Sequence, residues 1–163
     1  MAGAIKKELE NWFSDAKKIV VAGIGNPIRM DDFVGTKIVQ DLVGKVSENV
    51  RLIECETVPE SYLLDIEEFK PSHVLLIDAA LLDLAPGEAC LFSPEQVAGF
   101  SAVSSHVLPL RVFSEYLKQS TGAKIALLLI QPKNVEFGEG LSLEVQAAAE
   151  RIARLLQDLL SKV

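Results

Sequence analysis

The run Lys18-Ile19-Val20-Val21-Ala22-Gly23-Ile24-Gly25, halted by Asn26-Pro27, carries the reading of the fold. Its β-branched apolar residues show no polar face, so it reads as a buried strand, and Asn26-Pro27 turns the chain out of it. His73-Val74-Leu75-Leu76-Ile77-Asp78 is apolar on both faces until it ends in an acid, and Lys124 to Ile130 has the same character. Continuous rather than alternating hydrophobicity in these strands implies burial on both sides, as in a mainly parallel sheet sandwiched by helices.

Helical periodicity fills the intervals. Ile5, Leu9, Trp12 and Phe13 predict an amphipathic N-terminal helix within residues 1–14. Val34, Ile38, Val39, Leu42 and Val43 share one face of a helix over about 32–44. Val50 to Glu54 is a further strand, and Pro59 opens a helix that runs to about Phe69, before Pro71. Pro86-Gly87 marks a turn ahead of a short run, Glu88 to Phe92, that suits a sheet edge in either orientation. Helices are expected over 109–119 and 142–161. No repeat, low-complexity tract or Ser/Gly linker divides the chain. The expectation is one domain over 1–163, a three-layer α/β/α sandwich around a twisted, mainly parallel sheet of about five strands.

Composition narrows the function classes. With 49% apolar and 24% charged residues, the chain has the balance of a folded protein rather than a disordered one. A net charge of −7, with no basic cluster beyond Lys6-Lys7 and Lys17-Lys18, opposes binding to nucleic acid or anionic lipid. Asp78 and Asp83 interrupt the most apolar region, which excludes membrane insertion there, and the N-terminus reaches charge too early for a secretory signal. A cytoplasmic monomer is expected, with Cys55 and Cys90 as reduced, small buried thiols.

Ligands of open α/β sheets collect beyond the carboxyl ends of the strands. That rule selects the loop Gly25 to Gly35, the acid Asp78, and Ser104-Ser105-His106 ahead of Pro109, with Gln131-Pro132 closing the last strand. Gly23-Ile24-Gly25 invites a dinucleotide fingerprint, but Ile28 stands where the third glycine belongs, and two carboxylates would repel a phosphate. No nucleotide is expected. Asp31 or Asp32 alone reads as a helix N-cap, and His73 as an ordinary core histidine. Asp78 is different, because a strand apolar on both faces needs a cation or a proton to end in an acid. Asp32, Asp78 and His106 together offer oxygen and nitrogen donors that suit nickel or zinc, and the residues point to a metal-assisted hydrolase.

Five segments, in order, resemble the maturation proteases of nickel–iron hydrogenases. Gly25-Asn26-Pro27-Ile28-Arg29-Met30-Asp31-Asp32-Phe33-Val34-Gly35 is similar to the family's first acidic motif and Leu75-Leu76-Ile77-Asp78-Ala79 to its second. Ser105-His106-Val107-Leu108-Pro109-Leu110 resembles the histidine segment, Ile130-Gln131-Pro132 the end of the last strand, and Leu141-Ser142-Leu143-Glu144-Val145 the start of the final helix. The strand ending looks closest to the hydrogenase-3-type subgroup.

The resemblance implies that Asp32, Asp78 and His106 are at once the metal ligands and the catalytic set, with Asn26, Asp31, Glu54 and Gln131 supporting them or touching substrate. It implies an endopeptidase that trims the C-terminal extension of a large-subunit precursor already carrying nickel, so that the substrate supplies the metal. A nickel sensor or chaperone using the same ligands without proteolysis is the alternative. Two departures stand out: Phe33 replaces a usual glycine, and Ile53-Glu54-Cys55-Glu56-Thr57 replaces a glycine-rich loop.

Overall fold

The computed structural model describes residues 2–97 and 107–163. Helix α1 (Ala2–Phe13) precedes strand β1 (Ile19–Ile24); a 3-10 turn (Met30–Phe33) then leads into α2 (Val34–Leu42). Strand β2 (Val50–Glu56), a second 3-10 turn (Pro59–Tyr62), α3 (Leu63–Phe69) and β3 (His73–Ala79) follow. The chain continues through β4 (Ala89–Phe92), the short α4 (Pro94–Val97), α5 (Val107–Thr121), β5 (Lys124–Ile130) and α6 (Leu143–Leu160).

The five strands are ordered β2-β1-β3-β5-β4. All neighbours are parallel except β4, which runs antiparallel to β5 from Ala89 opposite Ile130 to Phe92 opposite Leu127. The short run after Pro86-Gly87 is thus an antiparallel edge. Successive strand residues point to opposite faces, and each face buries its own core. Ile19, Val21, Leu75 and Ile77 pack with α1, α2 and α6 through Leu9, Ile38, Leu42, Val145, Ile152 and Leu156. Val20, Ala22, Val74 and Leu76 pack with α3, α4 and α5 through Ile66, Val97, Phe113 and Leu117. At roughly 1.5–3 kcal/mol for each large apolar side chain fully withdrawn from water, these two layers are the main source of stability.

Two expected helices begin differently from their periodicity. The segment starting near residue 32 is a 3-10 turn through Phe33 before α2 proper, and the segment opening at Pro59 is 3-10 through Tyr62 before α3. In both cases the tighter turn lets the chain leave a strand end and swing over the sheet within a few residues. Helix α4 has too few residues to show a period, and sequence reading did not anticipate it.

From β1 the chain moves to one neighbour, β2, and then crosses back to the other, β3. The switch point therefore lies between the carboxyl ends of β1 and β3.

Candidate active site

Backbone contacts build the crevice at that switch point. A Cβ added to Gly35, in the first turn of α2, would lie 2.1 Å from the carbonyl oxygen of Ile77 and 2.6 Å from that of Ile24. One on Gly23 would lie 2.3 Å from the Gly35 carbonyl, and one on Gly25 would lie 2.1 Å from the Asp32 carbonyl. The glycines that suggested a phosphate cradle instead let α2 start directly on the ends of β1 and β3. Phe33 has φ −79° and ψ −7°, ordinary helical values, so glycine's flexibility is not required at that position.

Asp32 and Asp78 are buried on either side of this crossing. The 3-10 turn bearing Asp32 packs against β3, whose penultimate residue is Asp78. The Asn26 N–H donates to Asp32 Oδ2 at 3.2 Å, and the Ala79 N–H donates to Asp78 Oδ1 at 2.8 Å. Each carboxylate is thus oriented by a main-chain donor at its own strand end. Two buried acids at one crevice attract a cation or share a proton.

Asp31 behaves differently from its neighbour. Its Oδ2 accepts the N–H groups of Lys133 and Asn134, both at 2.9 Å, and the Ser142 hydroxyl at 2.8 Å. Its Oδ1 accepts the Ser142 N–H at 2.7 Å. Neither aspartate caps its own helix, because the 3-10 turn and α2 carry no side-chain cap. Asp31 staples the loop after β1 to the loop after β5, which passes the end of β3 to reach it. Local sequence gives no signal for that partnership.

Asn26 Oδ1 accepts the Ile28 N–H at 3.0 Å and shapes the same loop. Gln131 Oε1 accepts the N–H of Leu82 at 2.6 Å, and Gln131 Nε2 donates to the Pro132 carbonyl at 3.0 Å. It anchors the segment that follows β3. Glu54 is exposed on β2, where Gln40 Nε2 donates to it at 2.8 Å, and it lies opposite Gly23 in the register. The chain leaves β2 through Glu56, at φ +52°, whose carbonyl accepts the Gly25 N–H at 2.7 Å. This is how the segment without glycines closes against the first loop.

His106, together with Ser104 and Ser105, lies outside the described residues. Among the described residues no three His, Cys, Asp or Glu side chains are grouped to hold a metal ion. Asp32 and Asp78 supply two oxygen donors. His73 is at the amino end of the central strand β3, opposite the end that carries Asp78, and is buried against Trp12, with Ser72 Oγ 2.9 Å from Nδ1 and Asp15 Oδ1 3.1 Å from Nε2. Cys55 is buried and Cys90 partly exposed, and both are free thiols. Two clefts, of about 590 and 690 Å³, lie along β4 and α1. Neither is lined by a residue of the acidic crevice, so the buried acids rather than cleft size locate the chemistry. No helix among the described residues is long and apolar enough to cross a membrane.

Comparison with known proteins agrees with this architecture. The family model described as hydrogenase maturation protease matches residues 36–159. A putative hydrogenase maturation protease of Methanocaldococcus jannaschii is 33% identical, with 98% of each chain covered. The hydrogenase 3 maturation protease of Escherichia coli is 27% identical over 85% of this chain and 88% of its own. The crystal structure of the NiFe hydrogenase maturation protease HycI from Thermococcus kodakarensis superposes with a TM-score of 0.87 at 36% identity, covering 94% of this chain and 98% of that one. On the fold, the family match and these relatives together, the chain belongs to the hydrogenase maturation protease family.

Proposed function

We propose that this protein is the endopeptidase that removes the C-terminal extension from a nickel–iron hydrogenase large-subunit precursor after nickel has been inserted. The observation that carries the reading is the pair of buried acids, Asp32 and Asp78, brought to one topological switch point by backbone packing at Gly35. Family membership supplies the reaction class, and the relative from Escherichia coli is a hydrogenase 3 maturation protease, which favours a precursor of that type.

The nickel is cargo of the substrate. Asp32, Asp78 and His106 complete its surroundings only when the precursor brings it, so cleavage depends on prior insertion. When present, the ion supplies Lewis acidity beside the scissile carbonyl. One of the two aspartates takes the proton of the attacking water, and the departing amine is protonated in turn. We favour this metal-guided scheme over a proton-sharing aspartic pair. The protein acts as a monomer in the cytoplasm, where its thiols stay reduced.

The test is incubation of the purified protein with nickel-loaded and nickel-free precursor, followed by intact-mass spectrometry. Release of a single C-terminal peptide from the loaded form alone is expected. Binding of loaded precursor without any mass loss would instead identify a nickel-binding chaperone or sensor. Equal cleavage of the two forms would remove nickel from the recognition step.

A further inference from the structure

The loops stapled by Asp31 carry large apolar side chains outward. Ile28 is 52% exposed, Phe137 82% and Leu143 86%. They occur on three segments held by one hydrogen-bond system. The Gly138 N–H donates to the Ile28 carbonyl at 2.9 Å, and the Met30 N–H to the Gly138 carbonyl at 3.1 Å. Arg29 pairs with Gly138 in a short parallel bridge, and Arg29 Nε donates to the Val135 carbonyl at 3.0 Å. Ser142, bonded twice to Asp31, immediately precedes Leu143.

This ridge is built, not merely left exposed. Met30 adopts φ +46°, a left-handed conformation that strains a non-glycine residue. The adjoining Gly138 brings its backbone against Met30, whose Cγ and Sδ would be 3.2 and 3.4 Å from an added Cβ. A buried carboxylate, a strained backbone and a paired loop therefore present an almost fully exposed phenylalanine. Exposed aromatic residues on rigid supports are the usual anchors of protein interfaces, because little conformational freedom is lost when they dock. The ridge is continuous with the crevice: Asp31, which clamps it, is the residue before Asp32.

We infer that the ridge Ile28–Phe137–Leu143 is a docking surface for the body of the large-subunit precursor, with Phe137 entering an apolar recess beside the nickel-bearing tail. The inference rests on the proposed function and adds a division of labour. The acids read the loaded metal, and the ridge recognises the folded protein that surrounds it. A short tail peptide lacks that recess and forgoes the ridge's contribution.

The experiment measures cleavage of nickel-loaded precursor at varied concentration by Phe137→Ala, by Phe137→Leu and by Val43→Ser. Val43, 62% exposed, is the C-cap of α2, at the end of that helix away from the crevice. For Phe137→Ala, KM rises about tenfold or more while kcat changes far less, as expected for loss of an interface anchor. Phe137→Leu recovers part of the loss, and Val43→Ser leaves KM within twofold. Melting temperature and oligomeric state are measured on the same samples. If wild type cleaves the precursor and Phe137→Ala matches its KM, the docking role falls while the protease reading stands. If wild type is a dimer that Phe137→Ala converts to monomer with KM unchanged, the ridge serves a second copy of this chain, and the inference is overturned. If wild type neither binds nor cleaves loaded precursor, the protease reading falls, and the docking role with it.

Discussion

Asp31 and Ser142 lie 111 residues apart and meet through two hydrogen bonds, from the Ser142 N–H to Oδ1 at 2.7 Å and from the Ser142 hydroxyl to Oδ2 at 2.8 Å. Ser142 is also the N-cap of α6. One carboxylate therefore joins the loop after β1 to the start of the last helix. Replacing it by alanine strands four donors at once. Asp31→Ala should cost about 3 kcal/mol, since hydrogen bonds to a charged acceptor exceed neutral ones. A urea midpoint indistinguishable from wild type would show that water replaces the staple without loss.

Charge removal at the crevice should separate function from stability. Asp32→Asn and Asp78→Asn should lose cleavage of loaded precursor by about a hundredfold or more, the scale expected when a proton-transfer group is removed. Melting temperature should hold or rise, because a like charge has been removed nearby. His106→Ala should share the functional loss, and His73→Ala should retain cleavage. Cleavage at the wild-type rate by any of the first three variants would dismantle the proposed set.

The close approach at Gly35 can be tested by one methyl group. Gly35→Ala must push α2 off the Ile77 carbonyl, and it should destabilise by about 3 kcal/mol and impair cleavage, as overpacked sites do. Gly3→Ala, in α1 with open space around it, should be neutral or stabilise by about 0.5 kcal/mol. Equal melting temperatures for the two variants would contradict the packing described at the crossing.

His73 should make stability depend on pH. Burial holds its imidazole below the usual range, opposed in part by the adjacent Asp15 carboxylate. A histidine with a lower pKa folded than unfolded gives stability that is complete above about pH 6.5 and is lost as pH falls through the folded value. The stability advantage of wild type over His73→Gln should therefore shrink between pH 7 and pH 5. An advantage that grows on acidification would mean that Asp15 outweighs burial.

Both thiols should be chemically quiet and dispensable. Burial, with Glu60 nearby, pushes the Cys55 thiol up to about 12. Cys90 is also raised, first by burial and then by Glu8 and Glu88. Since the thiolate is the reactive form, iodoacetamide at pH 8 should label Cys90 slowly and Cys55 only after denaturation. Cys55→Ser and Cys90→Ser should still cleave precursor. Loss of cleavage in a folded variant would give a thiol a role that the fold does not suggest.

The strands were legible because burial on both faces leaves a continuous apolar run. Lys124 to Ile130 matches its expected bounds, and β1 and β3 match theirs to within a residue. Helix periodicity located α6 and the span of α2. It could not distinguish a 3-10 turn from α-helix at Asp31 and Asp32, since both leave the same residues near one face for a single turn. Asp78 was conspicuous because it is an acid at the end of an apolar strand. The tasks of Asp31 and Gln131 were hidden, because Ser142 and Leu82 become their partners only after the sheet brings distant loops together. The contact of Glu54 with Gln40 on α2 likewise forms only once helix and strand pack together.

The glycine crossing of α2 over β1 and β3 also bears on tolerance to change. At Gly23, Gly25 and Gly35 main chain rests on main chain, so the gap between the turn bearing Asp32 and the end of β3 is set by peptide geometry rather than side-chain bulk. The large residues on either side of the sheet can then be exchanged for others of similar total volume without resizing the crevice. A designer seeking a hardier version of this protein could rebuild both hydrophobic layers around an untouched ruler of three glycines.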